Sequence, residues 1–223
     1  MAEASIDKLE FWGVRPVALP QFYFPTMKKP LLTLALLAGL TGAAHAQRNI
    51  SLGLKAGGSL ADFVGADAAN TKGRFGFHAG VFANIGLTRI FAFQPELIYS
   101  QKGCKDGSVD ASDRLGYLDV PLSFHANVDG LFFEAGPQVG FLLSASHQAG
   151  SVTFDTKNLY NEVDFGYLLG LGYQRKSGPG IGLRYNGAFT NVVHETKIGN
   201  ATYQPRIRNS VFQLYLTYSF GGK

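Results

Sequence analysis

From Arg48 to Phe220, apolar side chains alternate with small or polar ones in eight long runs. Alternation with period two marks a strand whose two faces meet different surroundings. The first run sets Ile50, Leu52, Leu54 and Ala56 against Ser51, Gly53, Lys55 and Gly57. The second sets Phe75, Phe77, Ala79, Val81 and Ile85 against Gly76, His78, Gly80 and Asn84. Runs three to seven repeat the pattern over 91–100, 117–125, 131–144, 163–174 and 181–190. The eighth sets Phe212, Leu214, Leu216, Tyr218 and Phe220 against Gln213, Thr217 and Ser219. No apolar face carries a formal charge, whereas Lys55, Glu96, Asp119, Glu134, Asp164 and Arg184 all fall on the polar faces. A face without charge suits lipid, where a Lys or Arg at the bilayer midplane costs about 2–4 kcal/mol.

The connections alternate in length. Short ones fall at 86–90, 127–130 and 175–179; long polar ones fall at 62–73, 102–114, 147–161 and 191–207. Outer-membrane barrels have short periplasmic turns and longer outside loops. The expected fold is therefore all-β: a transmembrane up-and-down antiparallel barrel of about eight strands. Pro95, Pro121 and Pro137 fall inside runs, where each removes a ladder donor, so bulges or strand ends are expected there.

Upstream of the first run, Met27-Lys28-Lys29, the apolar stretch Leu31 to Leu40 and Ala44-His45-Ala46 have the order of a secretory signal with its cleavage site. The apolar stretch is too short to span a bilayer. Three segments follow: 1–26 as an upstream extension with Met27 as the initiator, 27–46 as the signal peptide, and 47–223 as the barrel domain.

Composition agrees with this division. Glycine is frequent at 28 of 223 residues, and charged residues are scarce at 16%. The net charge is +4; removing residues 1–46 takes out four cations and three anions and leaves +3. That mild, mixed balance excludes a nucleic-acid binder of the usual basic kind. The lone Cys104 lies in a polar stretch and cannot form an internal disulfide.

About eight strands enclose an interior that side chains can fill. Lys55 and Arg184 are expected to pair there with Glu96, Asp119, Glu134 and Asp164, because buried charge is tolerated only when paired. Phe82, Leu142 and Leu168 are also expected to point inward. Phe75, Tyr99, Phe133, Tyr173 and Phe220, toward strand ends, are expected at the membrane interfaces. Ser123 and His125 share a strand face near Glu134, the residue types of a hydrolase triad, but this register turns them into the lumen. The histidines show no metal-ligand spacing, and Gly178-Pro179-Gly180-Ile181-Gly182 lacks the strand-to-helix setting of a nucleotide loop. No catalytic, metal or cofactor site is assigned.

Several segments together resemble a known family. They are Gly53-Leu54-Lys55-Ala56-Gly57, Gly76-Phe77-His78-Ala79-Gly80-Val81-Phe82, Phe93-Gln94-Pro95-Glu96-Leu97-Ile98-Tyr99-Ser100-Gln101-Lys102-Gly103, Tyr117-Leu118-Asp119-Val120-Pro121-Leu122, Gly136-Pro137-Gln138-Val139-Gly140 and Leu216-Thr217-Tyr218-Ser219-Phe220. In order and spacing, residues 48–220 resemble the outer-membrane β-barrel domain family often labelled porin-like or PorT-like. The resemblance implies a small barrel in a Gram-negative outer membrane, and makes the three prolines family features. The closing aromatic resembles the signal read by the barrel-assembly machinery, although Gly221-Gly222-Lys223 follow it here.

The functional expectation is a monomer with a structural, adhesive or interaction role carried by its long loops, since loops on a rigid scaffold carry recognition. Its surroundings are the bilayer, lipopolysaccharide and the assembly machinery, with a protein or small-solute partner at the loops. A narrow porin ranks second and an outer-membrane lipid hydrolase third.

Overall fold

The computed structural model describes residues 50–175, 177–198 and 201–220, without the side chains of 196–198, 201 and 202. The segments read from sequence as an upstream extension (1–26) and a signal peptide (27–46), with 221–223, lie outside the described residues. Eight long antiparallel strands form the wall: β1 (Ile50–Val64), β2 (Thr71–Gly86), β3 (Phe91–Asp106), β4 (Ala111–Val128), β5 (Leu131–Ala149), β7 (Val163–Gln174), β8 (Gly178–Ala188) and β11 (Arg208–Ser219). A short β6 (Val152–Asp155) folds back on β5, and β9 (Thr196–Ile198) pairs with β10 (Ala201–Tyr203) in the last connection. Each long strand pairs with its neighbours in the chain, and β1 pairs with β11, so the sheet closes into an eight-stranded barrel. Closure removes every free edge in the wall.

Alternation in sequence becomes alternation in exposure. On β7, Val163, Phe165, Leu169, Leu171 and Tyr173 are exposed, while Asp164, Gly166 and Leu168 are buried. On β11, Phe212, Leu214, Leu216 and Tyr218 are exposed while Val211, Gln213, Tyr215 and Ser219 are buried. Phe82, Leu142 and Leu168 are buried inside. Such an apolar outer wall with a filled interior is the arrangement a lipid solvent requires.

Two expectations about the wall are corrected. The connections at 62–73 and 102–114 are not long loops: they shorten to 65–70 and 107–110, because β1 to β4 continue upward past the polar residues. The prolines cause no register change. Pro95 faces a gap in the β2–β3 ladder, Pro121 one in β3–β4 and Pro137 one in β4–β5, yet the same register resumes beyond each gap. A proline lacks one donor on one side only, and the neighbouring bonds hold the alignment. The register shifts lie instead between Gly73 and His78 and between Gly116 and Tyr117. The second shift turns Ser144 outward and brings Ala145 inside.

The turns obey local chemistry. Asp129 and Gly130 join β4 to β5 with φ of 51° and 90°, the positive pair that a two-residue hairpin matched to strand twist demands. At the other end Asp106 accepts hydrogen bonds from the Ser108 and Val109 amides (2.7 and 3.2 Å). Those two donors hold the exposed Asp106 carboxyl below its ordinary range.

Candidate functional site

The polar face of every strand converges on the barrel axis, and its charges sort into two tiers. In the tier nearer the short turns, Arg184 on β8 spans the lumen. Its guanidinium donates to both oxygens of Glu96 on β3 (2.8 and 2.9 Å) and to both oxygens of Glu134 on β5 (2.6 and 2.8 Å). The planar fork of arginine suits such bidentate pairing. Lys55 on β1 donates to Glu96 at 2.6 Å and lies over the Tyr215 ring, 4.1 Å from its centre. The Tyr215 hydroxyl, on β11, donates to Glu134 at 2.7 Å. One cluster thus ties five strands together across the lumen, and two cations neutralise two anions. Glycines make the room: a Cβ at Gly182 would overlap the Tyr215 ring, and one at Gly170 would meet the Glu134 carboxylate.

The second tier lies nearer the loops. Lys102 on β3 reaches Asp119 on β4 (2.9 Å) and Asp164 on β7 (3.2 Å), with its ammonium 4.3 Å from the centre of the Tyr117 ring. Ser100 donates to Asp119. Thr190 and Asn209 donate to Asp164 at 3.0 and 2.9 Å. Lys102, which the sequence pattern had placed in a loop, is therefore the partner of Asp119 and Asp164. Lys55 and Arg184 pair only with glutamates among the described residues.

Above this tier an apolar cluster fills the lumen. Phe63, Cys104, Leu115, Tyr117, Leu142 and Ala145 of the wall pack with Tyr160 and Val192, which the third and fourth loops drop into the mouth. Ala68, Val193 and Ile207 close over them. Burial, then the Asp113 carboxylate, push the Tyr160 phenol above its ordinary range. The Asn161 side chain donates to the Asn191 and Val193 carbonyls (2.8 and 3.2 Å) and stitches the two loops together.

Below the first tier the lumen opens. A cavity of about 640 Å³ is lined by Lys55, Gln94, His125 and Tyr215 inside and by Arg89, Asp129 and Arg175 at the turns. The lumen is thus a blind cup at the turn end, two charged tiers in the middle and an apolar plug at the loop end.

The family model for the outer membrane protein beta-barrel domain matches residues 43–194. The chain belongs to that family. No curated protein matches it in sequence. Among solved structures it is similar to neisserial surface protein A, with a TM-score of 0.49 at 15% identity over 76% of this chain and 97% of that one. It is also similar to Ail, the attachment invasion locus protein of Yersinia pestis, with a TM-score of 0.45 at 12% identity over 77% and 99%. A third is the outer membrane protein AlkL, with a TM-score of 0.41 at 9% identity over 78% and 91%.

In this outer-membrane barrel, Ser123, His125 and Glu134 do come together, in a geometry that does not make a relay. The same ring nitrogen, Nε2 of His125, faces both Ser123 Oγ (3.1 Å) and Glu134 (3.3 Å). A catalytic histidine needs its acid on one nitrogen and its nucleophile on the other. Ser123 is fully buried and bonded to the Gln94 carbonyl at 3.0 Å, and His125 stacks on Phe132. Glu96, His125 and Glu134 also place ligand-type atoms within 4.8 Å of one another. Arg184 and Lys55 already hold both carboxylates, so a metal ion would have to displace them.

Of the aromatics marked from sequence, Phe75, Phe133, Tyr173 and Phe220 are exposed. Tyr99 is half-buried against Phe77, 5.7 Å between ring centres. Lys102 and Tyr215 were missed. The parity of Tyr215 against Gln213 would have found it, whereas Lys102 opens a stretch that is polar on both parities and gives no such signal.

Proposed function

We propose that this barrel serves as a rigid outer-membrane scaffold whose loop layer makes the functional contacts, in a structural, adhesive or partner-binding role. The observation that supports this reading best is the filled lumen. Two tiers of fully buried ion pairs lie beneath an apolar plug, and the third and fourth loops themselves supply part of that plug. Loops anchored from below present a fixed outward surface, which is what recognition needs. A solute would have to break paired charges and an apolar core to pass, so the geometry argues against the porin reading. The shared Nε2 argues against the hydrolase reading.

In this reading Phe75, Tyr99, Phe133, Tyr173 and Phe220 anchor the wall at the two interfaces. Lipopolysaccharide surrounds the loop-side half, and the last strand is what the assembly machinery reads. The protein acts as a monomer exported by its signal peptide.

The test replaces the hairpin region 196–203 with a short Gly-Ser link. The variant should still assemble, as judged by a heat-modifiable gel shift, while attachment of the cells to surfaces or partner proteins falls. Unchanged attachment with reduced uptake of small solutes would favour the channel instead.

A further inference from the structure

The loop end carries the proposed function, and the opposite end holds a formed pocket that this function leaves unused. The cavity of about 640 Å³ opens between the short turns and is closed above by the Lys55–Glu96–Arg184–Glu134 cluster. Its size is that of a small-molecule site. Its rim is one-sided in charge: Arg89 and Arg175 line it against Asp129 alone, while Lys55 at the floor is balanced by Glu96. Arg89 and Arg175 are exposed at the rim and have no ion-pair partner among the described residues. At the floor, Lys55 has one hydrogen bond to Glu96 and one face toward the Tyr215 ring. An ammonium has three donors, so one remains for the cavity it borders. Gln94 and Asn84 add amides, and Phe132 and Tyr173 add ring surface. Convergent cations, a few orienting amides and aromatic walls within a low-dielectric cup focus field on an anion.

We propose that this cup is a binding site for a small anionic solute carrying a phosphate or carboxylate group. The anionic group is held by the rim guanidiniums and the Lys55 ammonium, and the body of the solute rests against Phe132 and Tyr173. The site faces the side of the short turns, which in outer-membrane barrels is the periplasm. Because the lumen above is blocked, the solute is bound and released at the same mouth.

The test is isothermal titration of the full chain, purified from outer membranes in detergent, with sodium pyrophosphate, citrate and uncharged glucose. Saturable binding of either anion, weakening as salt rises, and no binding of glucose is the expected result. Pyrophosphate alone would assign a phosphate ligand, citrate alone a carboxylate, and both the shared oxyanion chemistry. Arg89→Ser and Arg175→Ser, both at exposed positions, should each weaken binding about tenfold, the scale of one charge-assisted hydrogen bond. Asp129→Asn removes the cup's acid and keeps a residue that tolerates positive φ, so it should tighten binding severalfold. The proposal fails if neither anion binds saturably at millimolar concentration. It fails equally if all three variants bind the anion as the wild type does.

Discussion

In the turn-side half of the lumen, Lys55, Arg184, Glu96 and Glu134 meet through charge-assisted hydrogen bonds of 2.6–2.9 Å. In the loop-side half, Phe63, Leu115, Leu142, Tyr160 and Val192 meet through apolar contact. The same wall encloses both, so the difference comes from what each half must do. The charged tier belongs wholly to the strands and fixes their spacing across the axis. The apolar plug draws on the loops and fixes them to the wall. Tyr117 joins the plug to the second charged tier, since its ring lies under Lys102 and also packs in the apolar cluster.

Breaking the charged tier should have the largest effect. Arg184→Met leaves Glu96 and Glu134 with too little positive charge, and removal of one partner from a buried cluster costs about 3–5 kcal/mol. Urea unfolding in lipid vesicles should show that loss. The double variant Arg184→Met, Glu134→Gln should recover most of it, because Lys55 then balances Glu96 and no buried charge is left uncompensated.

The plug should respond by a different rule. Leu115 is 1% exposed, and Leu115→Ala should cost about 2–4 kcal/mol through lost burial and the cavity left behind. The loosened plug should expose the fourth loop, so limited proteolysis within 189–207 should accelerate. Arg184→Met should leave that loop cleavage closer to the wild-type rate, provided the barrel is folded.

What the chain declared in advance follows from the same physics. A strand between lipid and a filled interior cannot avoid period two, so the eight runs and the inward side of Lys55, Glu96, Asp119, Glu134, Asp164 and Arg184 were legible. Lys102 was not, because Lys102–Arg114 is polar on both parities and reads as a loop. Its inward direction rests on β3 continuing to Asp106, past the polar residues. Tyr215 sits among outward aromatics on β11 and is recognisable only by parity. The prolines misled for another reason. A missing donor breaks two rungs of a ladder, and the sixteen or more residues of β3, β4 and β5 hold the register despite it.

The smallest effect should come at the loop tip. Asp106 is exposed, and its carboxyl is depressed by two backbone donors. A depressed carboxyl adds stability above its unfolded pKa and loses it as pH falls through the folded value. Below that range the Ser108 and Val109 amides should exchange faster with solvent. Asp106→Ala should produce the same change at neutral pH while leaving the urea midpoint of the barrel unmoved.

The blocked lumen is tested most directly by the current through the full chain in a planar bilayer at neutral pH. Two buried charged tiers under an apolar plug predict a flat baseline with no steady conductance steps. Steady, ohmic steps from the wild-type protein would contradict the account.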